Sequence, residues 1–95
     1  MERINHHLVL TFAAVLRDAR EAAGLTQEDL ADRADVSVRF ISFLETGKRQ
    51  PSLSALAAVC RGLNVPMSSI LATVEARMSN VDDLPVREPM NLPES

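Results

Sequence analysis

Two short capped segments, separated by only two residues, constrain this chain more than any other feature. They lie in "TQEDLADRADVSVRFISFLE", Thr26 to Glu45. Thr26 is placed to cap a helix over 27–34, and Asp29 three residues on gives a capping-box pattern. Glu28 and Asp29 also suit the positive end of that helix. Ser37 is placed to cap a second helix over 37–45, which leaves Asp35 and Val36 as the turn. Leu30, Ala31 and Ala34 form the inner face of the first helix, and Ile41 and Leu44 that of the second. The small Ala31 and Ala34 let the two approach closely.

Three further helices are expected around this pair. Phe12, Val15, Leu16, Ala19 and Ala22 recur at helical spacing over 8–23, with Ile4 and Leu8 extending the same face backward. Gly24 is a suitable stop. Leu53, Leu56, Ala57, Cys60 and Leu63 mark a stripe over 52–62, closed by Gly62-Leu63-Asn64. Met67, Ile70, Leu71, Val74 and Met78 mark another from Pro66 to about Arg77. Apolar residues make up 46% of the chain and are mostly Ala, Leu and Val. Without alternating β-branched runs, this favours an all-α fold over strands. The expected organisation is one compact five-helix domain over 1–78 and a flexible tail over 79–95, where Pro85, Pro89 and Pro93 recur among acidic residues.

The net charge of −3 argues against nucleic acid only until its distribution is considered. Residues 1–78 hold nine acidic and nine basic groups. The tail holds Asp82, Asp83, Glu88 and Glu94 against Arg87, which accounts for the whole excess. A body that is neutral overall can still be polarised by face. No apolar run reaches the roughly 18 residues of a membrane span, and "LVL" is too short for a signal peptide. The single cysteine, Cys60, fits a reducing compartment. A soluble, cytoplasmic protein with no membrane partner is expected.

The capped pair is a helix-turn-helix, whose second helix can lie in a DNA major groove. Three runs sharpen this: "LTQEDLA" (Leu25 to Ala31), "VS...IS.LE.GKR.PS" (Val36 to Ser52) and "L..VC.GLNV" (Leu56 to Val65). At this order and spacing, the chain resembles the phage repressor and Cro-type, or Xre-like, family over roughly residues 12–71. Restriction–modification controller proteins are particularly similar around Arg39 to Arg49. The resemblance implies a lambda-repressor-like domain with its helix-turn-helix at 26–45. It implies a transcriptional regulator that binds double-stranded DNA as a homodimer.

The resemblance also implies roles for individual residues. Gln27 stands where the family holds a DNA phosphate, as suits an amide beside the free N–H groups of a helix start. Ser37, Val38, Arg39, Ser42 and Phe43 occupy the outward face of the second helix, where the family reads bases. Arg39 can bond guanine O6 and N7, and Phe43 can touch a thymine methyl. A surface ion pair of Arg39 with Asp35 is the alternative. Ser37 as a plain cap, Ser42 as a solvated hydroxyl and a collapsed Phe40–Phe43 patch are others. Lys48 and Arg49 resemble phosphate clamps, or are simply solvated. Arg20 and Glu45 match positions that form a partly buried ion pair, the alternative being two separate surface charges.

Leu71, Val74 and Met78 exceed what a small core needs and are the expected dimer interface, unless they cap the monomer core. Two copies would set recognition helices about 34 Å apart on a near-palindromic operator. Cys60 reads as a buried structural thiol. His6 and His7 lack further metal-ligating neighbours, and no metal or cofactor is expected. No catalytic constellation is visible, so an enzyme is not expected. An antitoxin-like module that holds a partner protein is the competing class.

Overall fold

Local hydrogen bonds cut the chain into its helices by one repeated scheme. In the computed structural model, which describes residues 4–82, the order is α1 (His6–Ala22), α2 (Gln27–Ala34), α3 (Val38–Glu45), α4 (Leu53–Leu63) and α5 (Met67–Asp82). Asn5, Thr26, Ser37 and Ser52 cap the first four, each side chain accepting the backbone N–H three residues on, at 2.9–3.1 Å. At the other ends, Gly24, Asp35, Gly47 and Asn64 adopt left-handed φ of 74°, 59°, 76° and 61°. The residue after each then donates back five positions, as Leu25 to Arg20, Val36 to Ala31, Lys48 to Phe43 and Val65 to Cys60. This is the Schellman arrangement, which satisfies carbonyls that a helix end leaves open.

The all-α, five-helix expectation holds, with shifts at the ends. α1 starts two residues early because Asn5 supplies a cap. α5 runs on to Asp82, past the Arg77 expected. The tail expected over 79–95 lies outside the described residues from 83 onward.

Helices of eight residues such as α2 and α3 are not stable alone in water, so packing must hold them. Leu16, Leu30, Ile41, Leu44 and Val59 are fully buried at the centre. α1 lies against α5, and α2 against α4. On the surface Arg77 bonds Asp18 at 2.8 Å across the first pair. An exposed ion pair of this kind contributes about 0–1 kcal/mol. Among the described residues no single helix is long and apolar enough to cross a membrane.

Packing corrects several assignments. Leu53 is 76% exposed, because the start of α4 runs past the edge of the core. Val59, absent from the expected stripe, takes the central position. Ala22 is exposed near the end of α1, and Cys60 is buried as expected. Burial pushes its thiol pKa up, which keeps it protonated and inert. Gly62, expected in the helix stop, lies inside α4 instead. A Cβ there would sit 3.1 Å from Leu30 Cδ1 and 3.3 Å from the Ala34 backbone nitrogen. The close contact of α4 with α2 therefore depends on a missing side chain at Gly62 and a small one at Ala34.

Replacing Gly62 with valine should force the two helices apart and lower the unfolding free energy by about 1–3 kcal/mol. Urea titration reads this, and an unchanged midpoint would contradict the close-packing account. A second prediction concerns the cap of α2. Asp29 accepts the Thr26 backbone N–H at 2.9 Å, and this bond first, with the Thr26 hydroxyl second, holds its carboxyl below the ordinary 3.8. A lowered native pKa stabilises the fold above the unfolded value, and that contribution is lost as pH falls through the native one. The stability gap between parent and Asp29→Asn should therefore be full near about pH 5 and shrink toward about pH 3. Thermal unfolding at both values checks it; a gap that widens in acid would reverse the sign.

Candidate nucleic-acid interface

The outward face of α3 carries the expected residues, each with a definable setting. The Ser37 hydroxyl accepts the Phe40 N–H at 3.0 Å, so it is a cap whose own proton stays available to donate. Val38 is exposed and Ser42 half-buried. Arg39 is exposed, with its guanidinium carbon 5.6 Å from the centre of the Phe43 ring. No Arg39–Asp35 ion pair forms among the described residues; Asp35 serves as the left-handed residue that ends α2. Phe43 is half-buried, neither fully outward nor collapsed into the core. Phe40 packs against the core edge.

The basic loop after α3 is tied to that helix. Phe43 C=O accepts both the Lys48 and the Arg49 N–H, at 2.9 and 3.2 Å. Gly47 makes the turn possible: besides its left-handed φ, a Cβ there would fall 2.6 Å from Leu10 Cδ2. Arg49 then lines one shallow depression together with Ser37, Arg39, Phe40 and Phe43. The side chains of Lys48 and Arg49 are exposed.

Behind this face, Glu45 is nearly sealed, its side chain 2% exposed. Arg20 meets it through two bonds, Nε to Oε2 at 2.7 Å and Nη2 to Oε1 at 3.1 Å, and Arg20 Nη1 donates to the Leu25 carbonyl at 2.7 Å. The hydrogen bond to Glu45 is the main cause that raises the Arg20 pKa further. Gln27 completes the group by donating from Nε2 to Glu45 Oε1 at 3.0 Å. The expected Arg20–Glu45 pair is thus in place and is not two separate surface charges. The sequence reading missed that Gln27 belongs to it. No local spacing rule links residues 18 positions apart. The backbone N–H groups of Gln27 and Glu28, at the start of α2, have no intrahelical acceptor and remain open to an anion.

Among the described residues, ion pairs engage Arg17, Arg20 and Arg77. None engages Arg33, Arg39, Lys48, Arg49 or Arg61; of these, Arg39 and Arg49 line one depression, with Lys48 next to Arg49 in the loop after α3. The candidate dimer residues separate. Leu71 is 41% exposed beside an apolar groove that also includes Leu8, Phe12, Pro51 and Leu56. Met78 is half-buried against the core. Val74 is 1% exposed, so it belongs to the core of the monomer, as the alternative reading had it, and it also lines the floor of that groove. Among the described residues no group of His, Cys, Asp and Glu could hold a metal ion.

A helix-turn-helix family model matches residues 16–70, more than half of the chain. The chain belongs to the Xre-like helix-turn-helix family. Within the family it is similar to the transcriptional regulator ClgR of Mycobacterium tuberculosis, with 37% identity over 70 residues. That match covers 74% of this chain and 62% of ClgR, so the chain spans about three fifths of that relative. A solved structure of the clp gene regulator ClgR from C. glutamicum superposes with a TM-score of 0.71 at 31% identity, over 81% of this chain and 96% of that one. The restriction-modification controller protein C.AhdI from Aeromonas hydrophila superposes at 0.64 and 27% identity, over 65% and 94%. The Xre-like fold and the likeness to controller proteins expected from the sequence are both found.

Arg20→Ala should strand a sealed carboxylate and cost about 3–5 kcal/mol. Denaturant unfolding measures this; a loss under about 1 kcal/mol would mean that the pair behaves as a surface one.

Proposed function

We propose that this Xre-like protein is a sequence-specific transcriptional regulator. It binds duplex DNA as a homodimer, with α3 in the major groove of each half-site. The observation that carries this reading is the trio Arg39, Lys48 and Arg49. Arg39 and Arg49 line one depression beside α3, Lys48 adjoins Arg49 in the following loop, and no ion pair among the described residues uses them. Arg39 reads guanine, and Ser37, Val38, Ser42 and Phe43 share its face. Lys48 and Arg49 hold phosphate, together with the open N–H groups at the start of α2. Gln27 has one amide N–H committed to Glu45 and a second to offer to the same phosphate.

Leu71 and the groove beside it support self-association. Met78 lies farther along α5, while Val74 acts from within the core. A twofold dimer would read half-sites about 34 Å apart. The binding domain would run to the end of α5 at Asp82, so that 79–82, expected in the tail, belong to it. ClgR is described as a clp gene regulator and C.AhdI as a restriction-modification controller.

Selection of bound sites from random duplexes, with the size of the complex measured, tests the reading. A near-palindromic motif bound by two copies is expected; a monomer with no enriched motif would defeat it. Arg39→Ala should remain folded and lose the guanine preference at one position per half-site. Lys48→Ala should weaken binding to all sequences alike and reduce the salt slope by about one for each phosphate no longer neutralised. A Lys48→Ala slope equal to that of the parent would remove Lys48 from the phosphate set.

A further inference from the structure

Arg39 and Phe43 stand four residues apart on one helix face, and side chains on a helix lean toward its start. The Phe43 ring therefore reaches back under Arg39, giving the 5.6 Å approach of guanidinium to ring. At this distance the cation is attracted by the ring face. The guanidinium N–H donors lie in its own plane, along the edge. An ion pair with Asp35 would have consumed that edge, and none forms among the described residues. The ring thus fixes the arginine while leaving its fork open. The ring is itself fixed, since Phe43 is half-buried and its carbonyl anchors the loop that carries Arg49 across the same depression.

Guanine offers O6 and N7 to such a fork in the major groove, and successive bases lie about 3.4 Å apart. A ring whose centre lies 5.6 Å from the guanidinium carbon is therefore within reach of a base pair next to that guanine. The apolar group exposed at that level is the C5-methyl of thymine. We propose that Arg39 and Phe43 act as one reading unit for a guanine with a thymine beside it. Phe43 is the positioning residue for the Arg39 fork and also touches the methyl. This rests on the major-groove reading of α3 and adds to it a two-base element.

The test uses the full chain. Sites selected from random duplexes should contain, in each half-site, a guanine with a thymine next to it. Uracil in place of that thymine removes only the methyl and needs no protein variant. It should weaken binding about three- to ten-fold. Phe43→Leu keeps an apolar side chain but no π face. It should lower the guanine-over-adenine ratio at the Arg39 position about two- to five-fold, with Phe43→Tyr restoring it. A merely structural role for the ring would change overall affinity and leave that ratio alone. Equal binding of uracil and thymine duplexes, or an unchanged ratio in Phe43→Leu, overturns the proposal. If selection enriches no motif, the major-groove reading fails and takes this one with it. If it enriches a guanine without a preferred neighbour, only the two-base element falls.

Discussion

A carboxylate sealed from water is tolerated only when its charge and lone pairs are met from inside, and Glu45 is met by Arg20 and Gln27. The three groups come from the end of α1, the start of α2 and the end of α3. Arg20 also holds the carbonyl of Leu25, in the link between α1 and α2. One point thereby fixes the mutual placement of three helices whose apolar contacts alone are non-directional. Directional bonds to a single carboxylate supply the orientation that burial cannot. The face offered to DNA is built outward from this point. Phe43, two residues before Glu45, has its ring centre 5.6 Å from the Arg39 guanidinium carbon and anchors the backbone of Lys48 and Arg49.

The helices that carry this network are short, and their limits are set within a few residues of themselves. Four polar caps and four left-handed stops do the cutting. Two of the stops are not glycine. Asp35 and Asn64 accept the left-handed conformation because short polar side chains tolerate it better than others do. Because such signals are local, the boundaries of α2, α3 and α4 were legible in the sequence to within a residue. The start of α1 and the end of α5 were not, since the cap at Asn5 went unrecognised and the last helix has no stop signal near Arg77.

Periodicity was a poorer guide to what each apolar residue touches. Leu53 continues the stripe of α4 yet meets water, because the core ends before the helix does. Val74 shares the stripe of α5 with Leu71, but one points into the monomer and the other to its surface. Helical spacing of three residues turns a side chain by about 300°, enough to separate the two across a core edge. Gly62 reads as a stop by its residue type, and only the approach of Leu30 and Ala34 reveals it as a point of close packing. Gln27 was legible as part of the site but not as a partner of Glu45, because long-range polar contacts leave no pattern along the chain. Arg39 and Arg49 were legible as neighbours because the turn at Gly47 brings the loop after α3 back beside that helix.

The same local logic explains how a body with nine acidic and nine basic groups presents a basic face. Pairing within the scaffold engages Arg17 and Arg77 with carboxylates of α1, and Arg20 with Glu45 at the buried end of α3. Glu45 lies behind the recognition helix with its charge compensated, so it contributes little repulsion there. Of the basic residues in no ion pair among the described residues, Arg39 and Arg49 line the depression beside α3, with Lys48 adjoining Arg49. On the proposed reading, so small a set would neutralise few phosphates per protomer, and non-specific affinity, which scales with phosphates neutralised, would be correspondingly low. Tight binding would then come from base contacts and from doubling the set by association, which would make the geometry of Arg39 and the exposure of Leu71 interdependent. A monomer with this face would be held too weakly to dwell on any site, whereas two copies joined at fixed spacing add their contacts without a second loss of rotational and translational freedom.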